Sequence, residues 1–346
     1  MAAATPRFGY SDPVTSEDAA TTFERDASRN GMPLVCVVVP CFNEAPVVVA
    51  LLAELTAVMG AAPFPMRALF VDDGSTDGTG EALARACAGD DRLALLRLSR
   101  NFGHQAAVSA GLRHADGDLV AVIDADLQDP PSVIPAMVER WRDGYDVVYG
   151  VRRDRKEGVL ARAAYALFYR LLRRVADIDI PLDAGDFSLM DRRVVDALNA
   201  LPERGRFVRG LRSWVGFRQT GLDYERSARS AGRSKYGFGR LLALALDGLV
   251  SFSWLPLRLA SLVGAVSACI AAAYLAWALV ARVFLAQTPP GWASLVGVFV
   301  FLGGIQLVVL GIIGEYLGRV FDEVKGRPPY LVAGRSGWVG SATRRG

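Results

Sequence analysis

Two long stretches without charged residues constrain this chain more than any other feature of its sequence. Residues 259–281 and 292–314 are two 23-residue runs free of Asp, Glu, Lys and Arg, and a helix needs about 20 apolar residues to cross a bilayer. Buried core helices are the alternative, but uncharged runs of this length favour membrane spans. The short loop 282–291, which contains Pro289 and Pro290, predicts a helical hairpin whose two ends lie on one side.

Basic residues are distributed unevenly around this hairpin. Its connecting loop has only Arg282, whereas many Lys and Arg residues lie outside its ends. The positive-inside rule therefore predicts an integral membrane protein whose N-terminal domain and both termini are cytoplasmic. The basic residues outside the hairpin are Arg226, Arg229, Arg233, Lys235, Arg240 and Arg258 before it, and Arg319, Lys325 and Arg327 after it.

The rest of the chain divides by composition. The first residues are polar and lack the apolar core of a secretory signal, so we expect a disordered tail. The segment before the first span is amphipathic, which predicts a helix that lies at the membrane interface or packs on the globular domain. The predicted divisions are a tail at 1–30, a cytosolic domain at 31–237, a juxtamembrane helix at 238–257, two spans within 258–316 (about 259–281 and 292–314) and a cytosolic tail at 317–346.

Apolar runs alternate with helical patterns from residue 33 onward. The first run, 34–39, is rich in valine, as expected for a strand buried on both faces. The alternation predicts βαβ units and an α/β domain with a mostly parallel, Rossmann-like sheet flanked by helices. Further strands are expected at 67–71, 93–98, 119–123 and 146–150, and helices at 44–59, 79–88, 103–115, 161–175 and 192–200.

Two of the predicted strands end in acidic loops. Asp124 and Asp126 follow one apolar run, and Asp72 and Asp73 follow another. Two carboxylates spaced i, i+2 at a strand end suit a divalent cation held against a phosphate, although an isolated pair is more often a solvated turn. Ligands of parallel sheets bind beyond the carboxyl ends of the strands. Two such loops in one domain therefore favour a binding site on that rim.

Charge and cysteine content argue against a nucleic-acid-binding protein and against a disulfide-rich protein. The net charge of +3 gives no support for a nucleic-acid partner. The four cysteines include no C-x-x-C pair, and they indicate a reduced cytosolic protein without a disulfide framework.

Three loop segments give the pattern a specific family likeness. Residues 38–44 (Val-Val-Pro-Cys-Phe-Asn-Glu), 71–77 (Val-Asp-Asp-Gly-Ser-Thr-Asp) and 124–131 (Asp-Ala-Asp-Leu-Gln-Asp-Pro-Pro) resemble the signature loops of family 2 glycosyltransferases, which have the GT-A fold. Segments 101–105 and 232–236, with the C-terminal hairpin, resemble the polyprenyl-phosphate glycosyltransferase subgroup. That subgroup includes dolichol-phosphate mannose synthase and bacterial undecaprenyl-phosphate glucosyltransferases.

The resemblance implies a reaction and a donor site. A hexose would pass with inversion from a nucleotide sugar to a polyprenyl phosphate at the membrane, with Mg²⁺ or Mn²⁺ as cofactor. The implied metal ligands are Asp126 and Gln128, with Asp124 as a third ligand or as a contact of the nucleotide or sugar. For Glu44 and Asp73 the alternatives are a helix N-terminal charge and turn formation. The predicted donor-binding residues are Pro40, which also shapes its loop, Asn43, Glu44, Asp73, Asp124, Arg152 and Lys235.

The acceptor phosphate requires cations, and the resemblance implies Arg152, Arg162, Arg233 and Lys235. Contact with anionic lipid head groups is the alternative role of such residues. Asp186 lies in a loop expected at 183–187, and the predicted catalytic set is Asp124, Asp126 and Asp186. Asp186 would act as a base or a sugar-positioning residue. The alternative is that it caps the next helix. His104 and His114 have no second metal-ligand partner in sequence, and we expect structural roles for them.

Three functions remain open from the sequence. The leading one is a polyprenyl-phosphate hexosyltransferase, in which the resemblance of 183–190 favours UDP-glucose over GDP-mannose as donor. A processive polysaccharide synthase would normally have more spans and a Q-x-x-R-W motif, and a catalytically silent membrane subunit would be expected to lose Asp124 and Asp126. Gly303 and Gly304 give one span a small-residue face, which favours a homo-oligomer.

Overall fold

A computed structural model describes residue 29 and residues 31–152, 184–225, 255–284 and 291–338. Within these residues one eight-stranded sheet has the order β7-β5-β6-β4-β1-β2-β3-β8. The strands are β1 Val35–Cys41, β2 Met66–Asp72, β3 Leu93–Leu98, β4 Leu119–Val122, β5 Val147–Arg152, β6 Ala184–Asp191, β7 Gln219–Tyr224 and β8 Val332–Ser336. The helices are α1 Ala45–Ala61, α2 Thr79–Gly89, α3 His104–His114, α4 Ile134–Arg142, α5 Arg192–Ala200, α6 Val208–Trp214, α7 Leu255–Phe284 and α8 Trp292–Val324.

The centre of the sheet is parallel, as the alternation of strands and helices predicts. β1 pairs in parallel with β2 and β4, and β2 pairs in parallel with β3. Every residue of β1 is buried, because α1 and α2 cover one face of the sheet and α3 covers the other. The valine-rich run therefore forms a strand buried on both faces, and the sheet as a whole is mixed and flanked by helices.

An antiparallel strand, β6, stands between β4 and β5. The expectation of a loop at 183–187 was wrong, because Ala184 to Phe187 belong to this strand. Phe187 and Leu189 enter the core on one face of the sheet and Met190 enters it on the other. Asp186 and Ser188 leave no continuous apolar run in this segment, so its sequence did not predict a strand.

The two C-terminal helices form the expected hairpin. α7 and α8 pack against each other, and they contain the predicted spans 259–281 and 292–314. Among the described residues, Phe301–Val324 is long and apolar enough to cross a membrane by length and composition, and none of it is buried. Large apolar side chains face outward on both helices, including Ile270, Phe299 and Leu307, and an exposed apolar surface of this extent fits a lipid environment.

The chain returns to the sheet after the hairpin. β8 pairs antiparallel with the edge strand β3, and the Ser99 N–H donates to the Leu331 carbonyl at 2.9 Å. The Arg67 guanidinium lies 4.9 Å from the ring centroid of Trp338. The predicted tail at 317–346 thus includes the end of α8 and a strand that covers a sheet edge, which would otherwise present unpaired backbone groups.

Arg29 packs on the globular domain, although it falls in the predicted tail. Its guanidinium donates to Asp146 at 2.6 Å and to the Trp141 carbonyl at 2.7 Å. Residues 1–28, the helix expected at 161–175 and most of the predicted juxtamembrane helix 238–257 lie outside the described residues.

Candidate active site

The candidate site lies where β1, β2 and β4 end and where β6 begins. β4 and β6 run antiparallel, with Leu119 paired to Asp191 and Val122 paired to Ser188. Beyond the paired residues, Asp124 and Asp186 both approach Nε2 of His104, at 3.8 Å and 3.5 Å. Acids from two elements far apart in the sequence therefore meet on one rim of the sheet.

Hydrogen bonds join the loops that follow β1 and β2. Oδ1 of Asn43 accepts the N–H of Thr76 at 2.9 Å, and the N–H of Asn43 donates to Oγ of Ser75 at 3.0 Å. The N–H of Glu44 donates to Oγ1 of Thr79 at 2.9 Å. Asn43 has a left-handed backbone with φ 56°, which Asn adopts more readily than most residues. Asn43 thus shapes the rim, and its contact with a donor stays a prediction.

Asp73 holds the loop that follows β3. It is buried, and its two carboxylate oxygens accept the N–H groups of Phe102 and Gly103, each at 2.8 Å. Burial raises the pKa of Asp73, and the two hydrogen bonds act to lower it. Gly103 has φ 99° and directly precedes α3. Asp73 therefore sets the position at which α3 begins, and its contact with a nucleotide stays a prediction.

The loop after β4 carries the predicted metal ligands. Oδ1 of Asp126 accepts the N–H of Gln128 at 3.1 Å across Leu127, whose φ is 59°. Gln128 is buried. Burial raises the pKa of Glu44, and the charges of Asp126 and Asp124 raise it further. The carboxylates that follow β1 and β4 are therefore close enough to disfavour one another's charge.

Asp124 has an environment that disfavours its own charge. Burial raises its pKa to about 6, the neighbouring carboxylates of Asp129, Asp186 and Asp126 add to this effect, and His104 opposes it. A bound cation would reverse this balance, because it favours the ionised acid.

The predicted ligands fit a metal that is shared with a nucleotide. Asp124, Asp126 and Gln128 offer only oxygen ligands, the type that Mg²⁺ and Mn²⁺ prefer. In the described part of the chain, no three His, Cys, Asp or Glu side chains group closely enough to hold a metal ion by themselves. Mg²⁺ is commonly held by one or two carboxylates together with substrate phosphates and water, which matches this sparse set.

Asp186 is engaged by two basic side chains. The Arg209 guanidinium lies 3.2 Å from its Oδ2 and 3.4 Å from its Oδ1, and His104 Nε2 lies 3.5 Å from Oδ2. Burial acts to raise the pKa of Asp186, but the contacts with His104 and Arg209 outweigh it and hold the pKa well below its usual range. Asp186 is consequently ionised and a poor proton acceptor.

Three basic residues at this site were not predicted from the sequence. His104, expected to be structural, also lies 3.8 Å from Oδ1 of Asp124. Arg209 and Arg212 lie one turn apart on α6, and the buried Arg212 donates to the Gly185 carbonyl at 3.3 Å. The segment Arg206-Phe207-Val208-Arg209-Gly210-Leu211-Arg212 shows this i, i+3 spacing, but only the fold identifies its partner as β6.

The remaining predicted residues divide into two groups. Pro40 is buried in β1 opposite Val71 of β2, where it shapes the strand end. Arg152 ends β5, and its side chain is not among those described. Arg162, Arg233 and Lys235 lie outside the described residues, so their roles stay predictions.

Comparisons with protein families match both parts of the chain. The model of Glycosyl transferase family 2 matches residues 36–198, and the model of the GtrB C-terminal hairpin matches residues 255–320. The first match spans the acidic rim, and the second spans α7 and most of α8.

Relatives match over nearly their full lengths. The uncharacterized glycosyltransferase YkcC of Bacillus subtilis is 46% identical over 86% of this chain and 92% of its own. The bactoprenol glucosyl transferase of Shigella phage SfII is 40% identical over 86% of this chain and 97% of its own. A solved mannosyltransferase, PcManGT from Pyrobaculum calidifontis in complex with GDP-Man and Mn²⁺, matches 86% of this chain and 96% of its own, with 20% identity and a TM-score of 0.45.

Proposed function

The chain belongs to glycosyl transferase family 2 and carries the GtrB C-terminal hairpin, and from this premise we propose a substrate pair. The enzyme transfers a hexose, from a donor of the UDP-glucose type, to a polyprenyl phosphate. The transfer takes place with inversion at the cytoplasmic face of the membrane. The N-terminal domain and both termini are cytoplasmic in this proposal.

One observation carries the proposal: an acidic glycosyltransferase rim and an apolar hairpin occur in a single chain, and β8 ties the far end of the hairpin to the same sheet. This arrangement keeps a soluble donor site close to a lipid acceptor. Relatives named bactoprenol glucosyl transferases, at about 40% identity, support a polyprenyl acceptor and a glucosyl donor.

The proposed reaction is a single displacement. An oxygen of the lipid phosphate attacks the anomeric carbon, a new C–O bond forms, and the bond from that carbon to the nucleoside diphosphate breaks. A phosphate monoester has a second pKa of about 6, so the nucleophile is already largely ionised at neutral pH. No strong base is required, which agrees with the ionised Asp186 at this rim.

Asp186 and Asp124 then act on the sugar. Ionised carboxylates accept hydrogen bonds from hydroxyl groups, and both acids approach the same Nε2 atom of His104, at 3.5 Å and 3.8 Å. Glu44 and the loop of Asn43 form the nucleotide side of the rim, and Asp73 orders the adjacent loop by accepting the N–H groups of Phe102 and Gly103.

Asp126, Gln128 and Asp124 would hold the Mg²⁺ or Mn²⁺ ion. When bound, this ion supplies Lewis-acid stabilisation of the charge that develops on the leaving diphosphate. The residues present fit that role, because they offer hard oxygen ligands next to the nucleotide loops.

Cations are proposed for the acceptor phosphate. Arg152 at the end of β5, with Arg162, Arg233 and Lys235, would neutralise the lipid phosphate as it approaches. A guanidinium binds phosphate in a bidentate manner and an ammonium acts as a point charge, so the two residue types have distinct tasks.

The test is a donor screen with purified full-length protein, undecaprenyl phosphate and Mg²⁺ or Mn²⁺. We expect a hexosyl-lipid from UDP-glucose, detected by mass spectrometry in the organic phase, and none from the Asp126→Asn variant. If product formed from GDP-mannose and from no other donor, the donor would be GDP-mannose and not a UDP-sugar. Growing polysaccharide would indicate a synthase, and no product from any common nucleotide sugar would indicate a silent subunit.

A further inference from the structure

His104 lies between the two acids that the proposed function assigns to the sugar. Its Nε2 atom is 3.5 Å from Oδ2 of Asp186 and 3.8 Å from Oδ1 of Asp124. Both distances are longer than that of a well-formed hydrogen bond, and the contacts are ion pairs when the imidazole is protonated. One imidazole therefore bridges carboxylates from two different strand ends.

The position of His104 is fixed on both sides. Asp73 holds the Phe102 and Gly103 N–H groups immediately before it. Gln105, immediately after it, accepts the N–H of Val208 with its Oε1 atom at 2.9 Å. The chain around His104 is thus tied to the loop after β2 and to the start of α6.

The Gln105 contact also places the second cation. Val208 directly precedes Arg209, whose guanidinium reaches Asp186 from the side of α6. Asp186 is accordingly contacted by both His104 and Arg209, and Asp124 approaches the same Nε2 atom of His104. Segment 101–105 therefore contacts the two acids through His104, a role separate from metal or nucleotide binding.

Packing alone does not account for His104. Its side chain is 43% exposed, so burial against apolar neighbours does not explain its position. Two neighbouring carboxylates repel each other, and the charge of Asp186 acts to raise the pKa of Asp124. Contact with Asp186 is the largest of the effects that raise the pKa of His104, and Asp124 acts in the same direction.

We propose that His104 is a positioning residue that holds Asp124 and Asp186 in one arrangement for binding the sugar ring of the donor. This inference rests on the proposed function for the identity of the donor. Its distinctive consequence is selective: loss of His104 weakens recognition of the sugar and leaves recognition of the nucleotide intact, because the nucleotide loops are held by contacts of Asn43 and Asp73.

The experiment measures binding by isothermal titration calorimetry with full-length protein in detergent. The ligands are UDP and UDP-glucose, or the matching pair for whichever donor the screen identifies. We expect His104→Ala to change the affinity for UDP by less than about 3-fold and to lower the affinity for UDP-glucose by about 10-fold or more. Misplaced binding groups cost factors of this size. His104→Gln, which keeps an N–H donor, should recover part of the loss.

His114→Gln is the matched control, because the chain has only two histidines and both lie on α3, at its first and last residues. It should leave both affinities unchanged. The inference would be overturned if His104→Ala lowered the affinities for UDP and UDP-glucose equally, or lowered neither. Binding needs no acceptor, so a sugar-selective loss without transfer to lipid would sustain the role of His104 and refute the proposed acceptor.

Discussion

Glu323, in the last turn of α8, accepts hydrogen bonds from the backbone N–H groups of Arg204 at 3.0 Å and Gly205 at 3.3 Å. The Arg204 guanidinium in turn donates to the Arg327 carbonyl. These contacts tie the exit of the hairpin to the segment between α5 and α6. Because α6 carries Arg209, the membrane helix is linked to the rim of the active site by a short stretch of chain.

The first prediction concerns this link. Glu323→Ala should release the segment 201–207 and raise its amide hydrogen exchange, because it removes the acceptor of the Arg204 and Gly205 N–H groups. Hydrogen exchange with mass spectrometry on the detergent-solubilised protein measures the effect. Glu323→Gln retains an acceptor for the N–H groups and should stay close to wild type. Equal exchange in all three proteins would show that the contact does not order the segment.

The second prediction uses two glycines at the C-terminal end of the chain. A Cβ on Gly337 would lie 2.4 Å from the Leu93 carbonyl oxygen, and its φ is 81°. Gly337→Ala should therefore destabilise the docking of β8 by about 1–3 kcal/mol, which corresponds to a fall of several degrees in the thermal midpoint. Differential scanning fluorimetry provides the measurement.

Gly334→Ala is the control for that variant. Gly334 lies in β8, three residues before Gly337, and nothing comes within 4 Å of a Cβ built on it. Its midpoint should stay near that of wild type. If the two variants unfold at the same temperature, the close approach of Gly337 to β3 is not a constraint on stability.

The third prediction is a pH dependence of stability. Burial lowers the pKa of His114 to about 4, and the charges of Arg335 and Arg113 contribute to the shift from 6.5. Between these two values the unfolded chain binds the proton and the folded chain does not, so stability rises with pH. Acidification from about pH 6.5 to 4 should destabilise wild type more than His114→Gln. Thermal midpoints of wild type and His114→Gln, measured across this pH range, test the prediction. Parallel plots of midpoint against pH for the two proteins would contradict it.

Sequence patterns identified the parallel centre of the fold because β1 to β4 are apolar runs, as expected for buried strands. Val35–Cys41 is continuously apolar except for Pro40, and acidic loops mark where the strands end. The observed strands lie within two residues of the expected bounds. β6 escaped detection because Asp186 and Ser188 leave no continuous apolar run. Both are tolerated there because Asp186 pairs with Arg209 and the Ser188 hydroxyl donates to the Asp186 carbonyl.

Tertiary pairing explains the other omissions. β8, Val-Ala-Gly-Arg-Ser, has little strand character of its own and forms where β3 offers an open edge. His104 was assigned a structural role because no partner stands near it in the sequence. Its partners Asp124 and Asp186 approach it only when β4 and β6 pair, which a single sequence does not reveal.

The fourth prediction concerns the metal. Asp126→Asn should reduce transfer by about 10³-fold or more at saturating Mg²⁺ or Mn²⁺, since stabilisation of the leaving group by a metal is worth several kcal/mol. Membrane fractionation should place the variant with wild type, because the hairpin is unchanged. Steady-state turnover across a metal titration measures the loss. Wild-type activity in the variant, or in wild type treated with EDTA, would remove Asp126 or the metal from the mechanism.

The stereochemistry of the lipid product tests the account most directly. Full-length protein is incubated with UDP-α-glucose and undecaprenyl phosphate, and the anomeric configuration of the glucosyl phosphate is determined by NMR. A displacement by the lipid phosphate on the rim formed by Asp124, Asp126 and Asp186 predicts the β-linked glucosyl lipid. An α-linked glucosyl lipid, or free glucose with no glucosyl lipid formed, would contradict the account.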